Sequence, residues 1–332
     1  MGTKMRNLSV GDQTSIMGCM RVLDIATEID ATHTVIWEYS LLDTLLVEEA
    51  FIPDADVLCS RRVAWQRILQ RGARLIVVLT PPRKHLAERS RAEALLAADA
   101  QELGLTTIDL RDLFAATEIA DPASGYRDDR HPRVDSPVIA RLVDVIVQAM
   151  TNPVKNDMVR LHSWAAKYPL DSWQWLRARD LTDAGVPSID FNNSLVSVRA
   201  LALNQDQAIK VSGNLRIVAA GIVSTLNTGS LWCGHPRCAP ASTRLPATLN
   251  YPFLLRATAI PCLASEISQL RSAPQYAYVR GSWADYGQRL INRPGPVYLL
   301  GLLIVAATTK DVELPASVPR KRWNLRRRLG FS

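Results

Sequence analysis

No apolar run in this chain is long enough to cross a bilayer. The longest, PVYLLGLLIVAAT over 296–308, falls short of the ~20 residues a membrane helix needs and reads as a buried strand or pair of strands. Cysteine is sparse: five residues, irregularly spaced, cannot staple a small domain, and an odd number leaves at least one unpaired within the chain. CGHPRC places Cys233, His235 and Cys238 close together, yet no second cysteine pair lies nearby to complete a four-ligand zinc site. A Cys233–Cys238 loop disulfide and plain thiols both stay open there, and no metal or cofactor is expected. MGTKMRNLSV lacks the apolar core of a secretory signal, so the expectation is a cytoplasmic protein or part of a surface assembly. Internal repeats are absent as well.

A strong overall charge is also missing. The formal net charge is +7, but Arg320, Lys321, Arg322, Arg326, Arg327 and Arg328 all fall in PRKRWNLRRRLG. Without that stretch the balance is close to neutral, so the charge of the whole chain says little about nucleic acid. The basic tail is either a solvated end or an arm that touches phosphates or an acidic partner.

What is present is an ordinary globular composition, 48% hydrophobic and 21% charged over 332 residues, enough for two domains with cores of their own. The first 150 residues alternate. THTVIWEYS and ARLIVVLTPP read as core strands and LTTIDLRDLF as a third, while DVLCSRRVAWQRILQRG, KHLAERSRAEALLAADAQELG and DSPVIARLVDVIVQAM carry apolar residues at helical spacing. Strands alternating with helices predict a parallel sheet covered on both faces. From about residue 190 the pattern becomes short apolar runs broken by Gly, Asn and Pro, which predicts a mostly antiparallel β-sandwich. The expected organisation is an α/β domain over 5–150, a helical connection over 151–189, a β-sandwich over 190–312 and a basic tail over 313–332.

In an open parallel sheet, ligands bind at the carboxyl ends of the strands. Three segments are expected there: the turn GDQTSIMG (11–18), EYSLLDT (38–44) and GYRDDRHPR (125–133). The first has the letters of a turn feeding a helix N-terminus, where free backbone N–H groups meet an anion. A hydroxyl nucleophile needs a base, the base an orienting carboxylate, and the developing oxyanion needs donors. His131 fits the base and Asp128, three residues earlier, the orienting group.

On these motifs the first domain, about residues 6–150, resembles the SGNH, or GDSL-like, esterase and acetylhydrolase superfamily. DDRH matches that superfamily's Asp-x-x-His block before the last helix, as Asp128 and His131, and EYSLLD resembles its block after the second strand. The resemblance implies a flavodoxin-like, three-layer αβα fold and ester hydrolysis or acyl transfer without metal or cofactor. Two departures accompany it. Leu42 stands where the superfamily has an asparagine that donates to the oxyanion, and in one register the nucleophile position falls on Asp12, a carboxylate suited to capping a helix. The other register takes Ser15 as nucleophile, followed by Gly18 as oxyanion donor.

Appended to such a domain, a sandwich resembles a carbohydrate-handling module. Trp232, Tyr276, Tyr278, Trp283 and Tyr286 lie in or beside Gly-containing turns, with Trp283 and Tyr286 the pair suited to stacking on sugar rings. The functional expectation is an SGNH-type esterase or O-acetyl hydrolase or transferase acting on an acylated glycan. The alternative is a non-catalytic relative that binds a cell-surface or capsular polysaccharide.

Overall fold

A computed structural model describes residues 6, 13–48, 54–117, 121–151, 157–168, 170–181, 185–193, 196–205, 207–211, 213–232, 241–244, 252–264, 268–272, 278–280, 289–291 and 294–306. In the first half, helices α1 (Ser15–Asp24), α2 (Ser40–Glu48), α3 (Asp54–Gln70), α4 (Arg91–Leu103), α5 (Leu110–Ala116) and α6 (Pro137–Thr151) alternate with strands β1 (Thr34–Trp37), β2 (Arg74–Leu79) and β3 (Thr106–Asp109). The strands are parallel, in the order β1-β2-β3. The apolar run LSV lies outside the described residues.

Strand β2 shows why the helices fall on both sides. Leu75, Val77 and Leu79 join a core with α1, α3 and α4, while Ile76 and Val78 join a second core with α5 and α6. Alternate residues of a strand point to opposite faces, so a run that is apolar at every position needs cover on both. Local chemistry sets the boundaries. Ser90 and Glu93 form a reciprocal capping box at the start of α4, and Gly104 closes that helix at φ 67°, a left-handed conformation that glycine adopts without a side-chain penalty. The run LTTIDLRDLF, expected to be one strand, divides at Asp109. Its carboxylate accepts from the Arg111 N–H and caps α5.

The second half comprises α7 (Met158–Lys167) and strands β4 (Gln174–Arg177), β5 (Ser188–Asn192), β6 (Ser197–Leu203), β7 (Ala208–Val211), β8 (Leu215–Ser224), β9 (Ser230–Trp232), β10 (Ala241–Ser242), β11 (Leu254–Ala264), β12 (Ser268–Ser272), β13 (Tyr278–Arg280), β14 (Arg289–Ile291) and β15 (Val297–Ala306). One sheet runs β11-β8-β15-β6-β5, with β4 also on β15, and the other runs β14-β13-β10-β9-β12-β7. All described pairs are antiparallel except β10 with β13. Leu201, Ile222 and Leu302 from the first sheet share a core with Ile209, Leu231 and Leu270 from the second. The run at 296–308 supplies a central strand, β15.

The two halves meet through apolar contact. Met17 and Met20 of α1 belong to the same core as Val218, Ala219 and Val223 of β8 and Leu255 of β11. Two ion pairs cross the same junction, Arg177 to Asp24 at 2.6 Å and Arg216 to Asp56 at 2.8 Å. The segment expected as a connection contributes Leu161, Trp164 and Trp173 to this core and adds β4 to the sheet.

Candidate functional site

The carboxyl ends of the parallel strands carry the described parts of the three expected segments, 13–18, 38–44 and 125–133. Ser40, at the start of α2, accepts the Thr80 N–H beyond the end of β2 at 2.7 Å. The loop over 121–136 is fastened to the same strand end twice. Tyr126 donates its hydroxyl to the Pro81 carbonyl at 2.7 Å, and the Arg83 N–H donates to the Asp129 carbonyl at 3.0 Å. This loop holds Asp128 and His131. The His131 ring Nδ1 lies 2.9 and 3.0 Å from the two Asp128 carboxylate oxygens. Burial alone would raise the Asp128 carboxyl, but the N–H groups of His131 and Arg130 and the imidazole together outweigh it, holding the group well below the usual carboxylate range. An ionised Asp128 keeps the proton on Nδ1 and leaves Nε2 as the accepting nitrogen of the neutral ring. Both side chains are nearly half exposed, so a ligand can reach the ring.

Ser15 is placed differently. It is the first residue of α1, behind Thr14, whose hydroxyl caps the helix by accepting from the Ile16 N–H. The serine is fully buried. Its N–H donates to Asp43 Oδ1 at 2.8 Å, and its hydroxyl donates to Asp43 Oδ2. Asp43 is buried too, and that burial pushes its carboxyl up to about 6 despite the two Ser15 donors and the Arg61 charge. Among the described residues, no hydrogen bond joins Ser15 to His131.

Gly18, read as an oxyanion donor, gives its N–H to the Thr14 carbonyl at 3.2 Å within the helix. Its lack of a side chain serves packing: a Cβ there would lie 2.6 Å from the Trp37 ring and 2.7 Å from the Tyr39 ring. Gln13, in the turn itself, is buried, and its side-chain oxygen accepts the Ala257 N–H of β11 at 3.0 Å. The second half of the chain therefore covers this part of the turn. Asp12, Trp283 and Tyr286 lie outside the described residues, as do Tyr276 and the CGHPRC run.

Asp43 is the residue that the motif reading passes over. Attention to Leu42 as the asparagine equivalent hides the carboxylate beside it, although acidic residues favour the first turn of a helix and Asp43 sits in that of α2. Behind it, buried Arg61 pairs with buried Asp99 at 2.9 Å, and Arg62 closes on the same carboxylate at 2.8 Å while lying 3.7 Å from the centre of the Tyr168 ring. Polar groups sealed from water in this way hold structure together by pairing with one another. The arrangement can thus do two things chemically: accept a proton at His131, and lock Ser15 in place. No known protein family, curated protein or solved structure matches this chain.

Proposed function

We propose that this chain is an SGNH-like protein that binds an acylated cell-surface or capsular polysaccharide without hydrolysing it through Ser15. One observation carries the reading: Ser15 is fully buried and its hydroxyl donates to Asp43. A nucleophilic serine must present its oxygen to both base and substrate. Here the oxygen is sealed from solvent and held by Asp43 rather than by His131, and opening the contact would leave a buried carboxylate without its donors, at a cost of about 1–3 kcal/mol or more. Leu42 in place of an oxyanion donor points the same way. Retaining the Asp128–His131 loop on the sheet edge suits a binding role, since an imidazole can donate to or accept from a sugar hydroxyl or acyl carbonyl.

The enzymatic reading, O-acyl hydrolysis or transfer on a carbohydrate, draws support from the His131–Asp128 contact, the geometry a general base needs. Turnover of p-nitrophenyl acetate and of acetylated polysaccharide by the wild type and by Ser15→Ala separates the two. The binding reading expects equal rates together with retention of the acetylated polysaccharide on a pull-down. Loss of turnover in Ser15→Ala, with no polysaccharide retained at millimolar concentration, would overturn it.

A further inference from the structure

A second candidate site lies at the far end of α1. A groove of about 590 Å³ opens where the last turns of α1 and α3 meet β4, a size within the ~300–1,000 Å³ typical of small-molecule sites. Leu23 and Ala26 contribute apolar wall. The remaining lining consists of Arg67, Gln70, Arg71, Trp173, Gln174 and Trp175. Ser15 begins the same ten-residue helix, so at 1.5 Å per residue this groove is roughly 12 Å away along the axis. It is separate from the Asp128–His131 edge.

Three features give the groove a chemical character. First, its charge is of one sign: two guanidinium groups line it and no carboxylate does. Among the described residues neither Arg67 nor Arg71 has an ion-pair partner, whereas nearby Asp24 is engaged by Arg177. Second, Trp175 is held in place from below. Its six-membered ring rests over Gly221 and Gly301, which pair in register on β8 and β15, and a Cβ on either glycine would come within 2.7 Å of that ring. Two facing glycines on adjacent strands thus leave a bare floor for one indole, while its partner Trp173 is anchored in the shared core. Third, Gln70 and Gln174 add amides that can both donate and accept at the rim.

We propose that this groove binds an acidic sugar residue of a polysaccharide, with the arginines taking its carboxylate and an indole face taking its ring. Arginine presents a planar fork matched to a carboxylate, and a fixed aromatic face offers apolar contact to the C–H face of a pyranose. Apolar and aromatic surface beside unpaired guanidiniums favours a ring bearing a carboxylate over a bare inorganic anion. This deepens the polysaccharide-binding reading and rests on it.

The experiment is isothermal titration of the full chain with trigalacturonate, with maltotriose as the uncharged control and hexaglutamate as the acidic peptide control. The expected result is binding of trigalacturonate alone, weakened at least about tenfold in Arg71→Ala and weakened further when Arg67→Ala is added. Arg71 is exposed, so its single variant keeps the fold and decides the matter if the double variant unfolds. Absence of trigalacturonate binding, equal affinity in Arg71→Ala, or equal binding of hexaglutamate would each overturn the proposal. A neutral acetylated glucan, run in parallel, separates the two readings. Its retention without trigalacturonate binding removes only the groove, whereas loss of both removes the polysaccharide reading as well.

Discussion

Ser15 and Asp43 are joined by two hydrogen bonds, backbone N–H to one carboxylate oxygen and hydroxyl to the other. The pair ties the start of α1 to the first turn of α2, and both residues are shut away from water. A motif that would serve chemistry in an open turn serves here as a clasp.

The clasp makes stability depend on pH. Burial raises the Asp43 carboxyl to about 6, above the ~3.9 expected for an unfolded aspartate. The folded state therefore binds the extra proton, and the stabilisation is fully present below about pH 4 and lost as pH rises through 6. A displacement of that size corresponds to about 2–3 kcal/mol. In urea titrations at a series of pH values, the difference between wild type and Asp43→Asn should change by this order between pH 4 and 7. A difference that stays flat with pH would refute the assignment.

Gly18→Ala tests whether the glycine serves packing. In an open helix the change would stabilise by about 1 kcal/mol, but here the new methyl meets the Trp37 and Tyr39 rings at 2.6 and 2.7 Å. Overpacking of this kind costs about 1–3 kcal/mol, so urea unfolding should show a net loss of stability. A gain would mean that the two rings move aside freely.

Asp99 holds two guanidiniums, and one of them, Arg61, is fully enclosed. Asp99→Ala leaves that buried charge without its carboxylate, a change expected to cost about 3–5 kcal/mol. The variant should show a large drop in unfolding midpoint, and a shift below about 1 kcal/mol would contradict the pairing.

Ester turnover is expected to be small in the wild type and to depend on the exposed imidazole. His131→Ala should remove the background hydrolysis of p-nitrophenyl acetate, while Ser15→Ala leaves it unchanged and lowers stability by about 1–3 kcal/mol through loss of the Asp43 contact. Both rate and midpoint are needed, because a catalytic serine would lower the rate.

Much of the first half is legible from pattern alone. Gly72 and Gly104 close α3 and α4 where their letters say they should, and the unbroken apolar run Leu75–Leu79 of β2 announces a sheet covered on both faces. The Asp128–His131 contact is equally readable, because the partners are only three positions apart on one loop. Ser15 and Asp43 are twenty-eight positions apart, and nothing local in either segment reveals that one buries the other. The same holds for Gln13, whose partner Ala257 lies on a strand near the end of the chain. Short-range chemistry shows in short motifs; burial by a remote sheet does not. The groove tryptophans are visible as letters in DSWQWLR, but only the paired glycines of β8 and β15 show what one of them packs against.

Helix α1 is enclosed over most of its length, from Ser15 to Met20. One flank lies on α3 and the other on β8 and β11, so a cut near residue 150 would pass through an interior. Each fragment would carry a freshly bared apolar wall into solution, and the two should prove insoluble apart yet recover a folded pair when refolded together. Recombination of either half with a foreign partner would meet the same obstacle. Surface substitutions in the two halves should act independently, whereas those at Met17, Met20, Val223 and Leu255, which share one core, should be coupled in their effect on stability.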